Sequence, residues 1–154
     1  MTLKYSRIMV AVDGSKEAEW AFKKASAAAS RNDADLYLVH VIDNRSFGSI
    51  EAYDRTIAER ALKNGEELLA RYKDEATSHG VKKVHPMIEY GSPKTVIPKK
   101  LANQLEIDVI VCGATGLNAA ERLIMGSVSE RIVRTAKCDV LVVRRNQEDI
   151  DADE

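Results

Sequence analysis

One stretch of the chain, VIVCGATGLNAAERLIMGSVSE from Val109 to Glu130, spaces glycines and hydroxyls in a way suited to holding an anion. The apolar run Val109–Cys112 breaks at Gly113 and Gly116, and nine residues later Gly126-Ser127-Val128-Ser129 opens a helical pattern. Glycine lets backbone N–H groups approach a ligand with no Cβ in the way, and a helix N-terminus presents unpaired donors at its positive end. Two such turns at one strand end would cradle a phosphate chain. Gly113, Ala114, Thr115 and Gly116 would form one wall and Gly126, Ser127, Val128 and Ser129 the other, with the Ser127 and Ser129 hydroxyls as extra donors. Each half also has an ordinary explanation. Glycine turns follow many strands, and Ser127 with Glu130 spells a capping box, S-x-x-E, in which the hydroxyl serves its own helix. Arg122, between the two turns, either adds positive charge or is a solvated surface residue.

The elements that must carry these turns can be read from periodicity. Arg7–Asp13 is an apolar run suited to a strand covered on both faces. Asp13-Gly14-Ser15 then turns into a helix reaching about Arg31, with Ser15 as N-cap and Ala18, Ala21, Phe22, Ala25 and Ala29 at helical spacing. Asp35–Ile42 is a second strand, and Asp43–Ser49 a polar connection. A helix follows from about Ile50 to His79, with Ile57, Ala61, Leu68, Leu69, Tyr72 and Ala76 on its apolar side; Gly80 ends it. Val81–Tyr90, less apolar, reads as an edge strand. Gly91-Ser92-Pro93 starts a helix in which Pro98 removes a donor and predicts a kink or a delayed start. Ile107–Cys112, Ser127–Ala136 and Cys138–Arg144 are the fourth strand, last helix and last strand. The alternation predicts an α/β fold, a single open parallel five-stranded sheet with helices on both faces. Strand order stays open on this reading.

Composition narrows the function. A chain of 154 residues and 45% hydrophobic content makes one domain with a core of its own. Residues 146–154 are acidic and lack an apolar period, so the domain is expected to span 1–145, followed by a loose tail. A formal charge of −1 argues against nucleic acid as partner. No apolar run suits a membrane and no secretion signal opens the chain, which makes a cytoplasmic location the default. Cys112 and Cys138 are expected at opposite ends of neighbouring strands, as small buried thiols and not a disulfide. His40, His79 and His85 are scattered; His40 alone is expected near the site, as a strand-packing residue. There is no GKS or GKT triplet, and Asp13 and Glu130 sit in no motor or kinase motif, so hydrolysis is expected to be slow or absent.

The full pattern Gly113-x2-Gly116-x9-Gly126-Ser127, continued by Val128-Ser129-Glu130-Arg131, resembles the ATP-binding signature of the universal stress protein family. The likeness extends to Ile8–Ser15, to His40-Val41 and to Cys138-x-Val140-Leu141-Val142-Val143, which covers nearly the whole chain. It implies the strand order 3-2-1-4-5 of adenine nucleotide alpha hydrolase-like folds, with the site at the fork between strands one and four. It further implies ATP as ligand, with Mg²⁺ or Mn²⁺ held through the phosphates and Asp13 as a candidate metal ligand. Ala11, Val12 and Asp13 would flank the adenosine, and the Val41 backbone would meet the adenine edge. The last strand, Val140–Val143, would pair across a homodimer. The implied role is a nucleotide-dependent stress-response module.

Asp13 could instead complement the dipole of the first helix, and Val41 could be a plain core residue. The chain departs from the family's habits at Thr115, where a basic or imidazole side chain is common, and at Asp139, where proline is. Alternatives are a slow ATPase, a nucleotide-free dimeric scaffold, and a phosphate-accepting receiver domain. The last requires an acceptor aspartate where the chain reads Ile88-Glu89-Tyr90 and a lysine where it reads Arg144-Arg145. Val12–Ser15 faintly resembles the Ser-Gly-Gly loop of ATP pyrophosphatases, but Asp13 replaces a glycine there.

Overall fold

Short runs of Ile, Val, Leu and Met, too brief for helices and bounded by turn residues, become parallel strands whose alternate side chains feed two separate cores. In a computed structural model, which describes residues 4–43, 51–114 and 125–144 (without the side chains of 51–54), the strands are β1 (Arg7–Ala11), β2 (Asp35–Ile42), β3 (Lys83–Tyr90), β4 (Val109–Gly113) and β5 (Asp139–Val143). They form one sheet in the order β3-β2-β1-β4-β5, with Ile8 opposite both Leu36 and Val109. The helices are α1 (Lys16–Asn32), α2 (Glu51–Ser78), α3 (Pro93–Thr95), α4 (Ala102–Gln104) and α5 (Ser127–Thr135). Ile8, Val10, Leu36, Leu38 and Val111 face α1 and α2, where Phe22 and Tyr72 pack with ring centroids 4.5 Å apart. Met9, Val39, Ile110 and Cys112 face the other way, onto Ile97, Leu101 and Ile132.

Several expectations are corrected. The β1 ladder stops at Ala11, not Asp13, although Val12 N–H still donates to Val39 O at 2.9 Å. Ile57, assigned to the apolar side of α2, is 47% exposed. The cause is length: 28 residues of helix span about 42 Å against about 26 Å for the 8 residues of β2, so the first half of α2 runs past the sheet. Pro98 neither delays nor interrupts its helix. Val96–Leu101 widens into a π-helical stretch joining α3 to α4, with Ala102 N–H donating to Ile97 O, so the missing proline donor falls within a segment that has changed its bonding period. The tail beyond Asn146 lies outside the described residues.

The two borders of the sheet differ. β3 carries Pro86 at mid-strand, opposite Leu38, which a parallel ladder tolerates when the proline nitrogen faces outward. β5 carries no proline. Val143 O accepts from Ala114 N–H at 3.0 Å and Asp139 N–H donates to Asp108 O at 3.3 Å. Odd-numbered residues of β5 thus bond inward, and Val140 and Val142 turn their backbone groups to the open border. Leu141 is 45% exposed.

Candidate functional site

The strand order puts β1 and β4 side by side at the centre, where the connections depart to opposite faces, and a cleft of about 220 Å³ opens at their C-terminal ends. One wall is the turn from β1 into α1, contributed by Ala11, Val12, Asp13 and Ser15; Val39 and Val41 of β2 continue it. The turn is held by its own bonds. Gly14 takes φ +86°, Asp13 Oδ1 accepts from Ser15 N–H at 2.9 Å, and Ser15 Oγ caps α1 by accepting from Ala18 N–H at 3.1 Å. Asp13 therefore shapes the turn and also presents the one charge among the described residues lining the cleft.

The opposite wall joins the end of β4 to the start of α5. Gly126 N–H donates to Ala114 O at 2.8 Å, and the Ser129 hydroxyl donates to Gly113 O, so the two turns read from the sequence lie against each other. Two hydroxyl assignments change as a result. Gly126, not Ser127, is the N-cap of α5; Ser127 is its first helical residue, exposed to solvent, and makes no capping bond. Ser129 is 6% exposed with its donor engaged by Gly113, which leaves its backbone N–H as its contribution to the cleft. Because Glu130 N–H is the first in the helix to find an internal acceptor, at Gly126 O, the amides of Ser127, Val128 and Ser129 have no partner within the helix, and a glycine cap offers them no side chain. Gly113, Gly126, Ser127, Val128 and Ser129 all line the cleft, and Ala114 is buried just behind it. Thr115, Gly116, Arg122 and most of the nine-residue connection lie outside the described residues.

Seven lining residues were not read from the sequence as part of the site: Pro93, Ile97, Cys112, Ser15, Ala18, Val39 and Ile132. The first two form an apolar flank, and the signal was present, since the helix start Gly91-Ser92-Pro93 follows β3 at the same end of the sheet and Ile97 lies one turn on. Burial pushes the Cys112 thiol up to about 11, opposed by the neighbouring Ser129 hydroxyl, so it is protonated and unreactive at neutral pH. Both cysteines are free, but of the two expected buried thiols only Cys112 is buried; Cys138 is half-exposed. Glu130 turns away from the cleft to pair with Arg134 at 2.6 Å. Among the described residues no group of three or more His, Cys, Asp or Glu could hold a metal ion. No described helix is long and apolar enough to cross a membrane.

An apolar slot ending in a row of backbone donors accepts a flat apolar ring at one end and an anion at the other. Residues 4–144 match the family model described as "Universal stress protein family". A Staphylococcus haemolyticus protein described as a universal stress protein is 55% identical over 145 residues, covering 94% of this chain and 88% of that one. Among solved structures, the universal stress protein UspA from Lactobacillus plantarum superposes with a TM-score of 0.83 at 28% identity, covering 93% of this chain and 100% of that chain. A universal stress protein in complex with cAMP (TM-score 0.72, 22% identity, 94% and 100% covered) and one from Archaeoglobus fulgidus in complex with dAMP (0.65, 22%, 91% and 98%) share the fold.

Proposed function

The chain belongs to the universal stress protein family, and from that premise we propose that its cleft binds an adenine nucleotide, ATP in the first instance, as a regulatory ligand. The observation that carries this reading is the start of α5, capped by a glycine with no side chain, whose amides without a partner in the helix line the same cleft as the apolar residues Val39, Val41 and Ile97. The purine stacks in the slot beside Ala11 and Val12, with the Val41 backbone toward its edge and the Asp13 carboxylate toward the sugar hydroxyls. The phosphates meet Gly113 on one side and Gly126, Ser127, Val128 and Ser129 on the other, with Thr115 and Gly116 proposed to continue the first wall; Ala114, whose N–H and carbonyl are engaged by Val143 and Gly126, backs that wall. Complexes of fold neighbours with cAMP and dAMP support the nucleotide class.

A divalent cation, Mg²⁺ or Mn²⁺, would be carried mainly by the phosphates. Asp13 has one carboxylate oxygen engaged by Ser15 and a second to offer. Hydrolysis is slow or absent on this reading, because the described residues at the phosphate end supply backbone donors but no side chain placed to activate water. The protein acts in the cytoplasm as a homodimer joined through Val140, Leu141, Val142 and Val143, with residues 1–145 as the working domain and nucleotide occupancy setting the shape of the connection after Gly116.

Thermal unfolding with and without ATP and Mg²⁺ tests the core of this. At a hundred times Kd a ligand adds about 2.7 kcal/mol to native stability. For a domain of this size that raises the midpoint by about 5–10 °C. No shift with millimolar ATP, AMP, cAMP or dAMP would refute nucleotide binding and leave the dimeric scaffold standing. Mass spectrometry of nucleotide retained through purification identifies the natural ligand.

A further inference from the structure

We infer that His40 is a positioning residue for the nucleotide cleft although it lies on the other face of the sheet, and that Gly65 of α2 is the seat that keeps it in place. This rests on the nucleotide-binding reading above for its functional consequence, but not for its geometry.

Val12 follows the last ladder residue of β1, and its two backbone groups go to adjacent residues of β2. Its N–H reaches Val39 O at 2.9 Å, and its carbonyl lies 2.8 Å from the His40 Nδ1. Val12 is 2% exposed, so without the imidazole its carbonyl would be left buried beyond the end of the ladder, where water is scarce. A carbonyl only accepts; Nδ1 therefore carries the proton. The peptide that the imidazole grips is the one between Val12 and Asp13, and its orientation sets where the Asp13 carboxylate and the Gly14 turn begin. Val39 and Val41 face the cleft, while strand alternation puts His40 toward α1 and α2. The ring thus holds the cleft wall from behind and touches no ligand.

Gly65 explains why the ring stays there. Glycine in the middle of a helix costs about 0.5–1 kcal/mol relative to alanine, yet α2 carries one at a buried position. A Cβ at that residue would stand 2.7 Å from His40 Cδ2, closer than such atoms approach, and a tight 3.3 Å from Nε2. The side chain missing at 65 makes room for the one at 40. A methyl group there would push the imidazole, and the imidazole is what holds Val12.

The test uses four proteins: wild type, His40→Leu, His40→Asn and Gly65→Ala. Asn places an amide N–H close to where the imidazole Nδ1–H was, so it retains the donor; Leu fills space without one. ATP affinity is measured by calorimetry well below each variant's melting temperature, so that lost fold is not read as lost binding. About tenfold weaker binding is expected for His40→Leu and for Gly65→Ala, with His40→Asn within about threefold of wild type. Independently of any nucleotide, amide hydrogen exchange at Asp13, Gly14 and Ser15 in the ligand-free protein should speed up at least tenfold in the Leu and Ala variants and stay near wild type in the Asn variant. Wild-type exchange in the turn of His40→Leu would overturn the inference, as would ATP binding by that variant at wild-type strength. If the wild type binds no adenine nucleotide, the functional reading fails while the exchange data still decide whether His40 positions the turn.

Discussion

Replacing Gly113 with alanine separates two reasons for a glycine at the end of β4. Sequence spacing suggests that the glycine admits a ligand to the backbone; the structure supplies a different reason. A Cβ at Gly113 would lie 2.9 Å from Glu17 Cβ and 3.0 Å from the Glu17 carbonyl oxygen, where ordinary contact begins near 3.4 Å. No rotamer change relieves an overlap with main chain. The first turn of α1 has to move off β4 by about half an ångström, and it drags with it the Ser15 cap and the Asp13 turn. Overpacking of this kind costs about 1–3 kcal/mol. At about 2–4 °C per kcal/mol for a domain of this length, the midpoint should fall by about 2–12 °C. Far-UV circular dichroism of ligand-free protein reads this directly, with urea unfolding to check that the slope, and so the area exposed, is unchanged. Gly14 is the matched control. It has open space around its missing Cβ but a positive φ, so Gly14→Asn should lose about 1–2 kcal/mol to backbone strain with no steric overlap, while Gly113→Asn is at least as harmful as alanine. A Gly113→Ala midpoint within 1 °C of wild type would show that α1 does not approach β4 as described.

Ser26 has a fully buried hydroxyl with no partner among the described residues, so Ser26→Ala should stabilise by about 0.5–2 kcal/mol in urea unfolding; a loss of stability would mean that the hydroxyl is bonded. The Cys112 thiol, raised to about 11 from 9.0, should have on the order of one thiolate in a thousand at pH 8. Alkylation of the native protein followed by peptide mapping should then leave Cys112 intact until urea is added. The same shift has a sign in stability: the unfolded chain releases this proton first, so the contribution of Cys112 is complete below pH 9 and lost as pH rises to 11. Rapid native labelling would contradict both. On the dimer proposed above, Val142→Pro deletes a donor that points away from β4 and should yield a folded monomer by sedimentation where the wild type sediments as a dimer; a dimer in both would exclude β5 as the contact, and a monomeric wild type would refute the dimer itself.

Strand and helix periods made most of the fold readable, because the five apolar runs are short and separated by helical patterns, and the first four end at Asp or Gly. The order of the strands was readable through the family likeness alone; no local signal in β1 states that β4 lies beside it. At the cleft, the residues that use their backbone were found by spacing, since glycines and a helix start advertise themselves. Side-chain bonds were not. Nothing in Ser127-x-x-Glu130 says that the cap falls one residue earlier, and nothing in Ser129 says that its hydroxyl serves Gly113. The link from Gly65 through His40 to Val12 joins three elements far apart in sequence, and the helical glycine in α2 was its one visible trace.

The unequal borders of the sheet bear on how far association can go. With Pro86 obstructing one rim and Val140 and Val142 offering bonds at the other, a second copy can be added on a single side. Once two such rims have met, both are used up and only proline-bearing rims remain facing solvent. On the proposed pairing, assembly through this sheet would terminate at a pair and not grow into a fibre, which would let an aliphatic strand stay exposed in the newly made chain at little hazard.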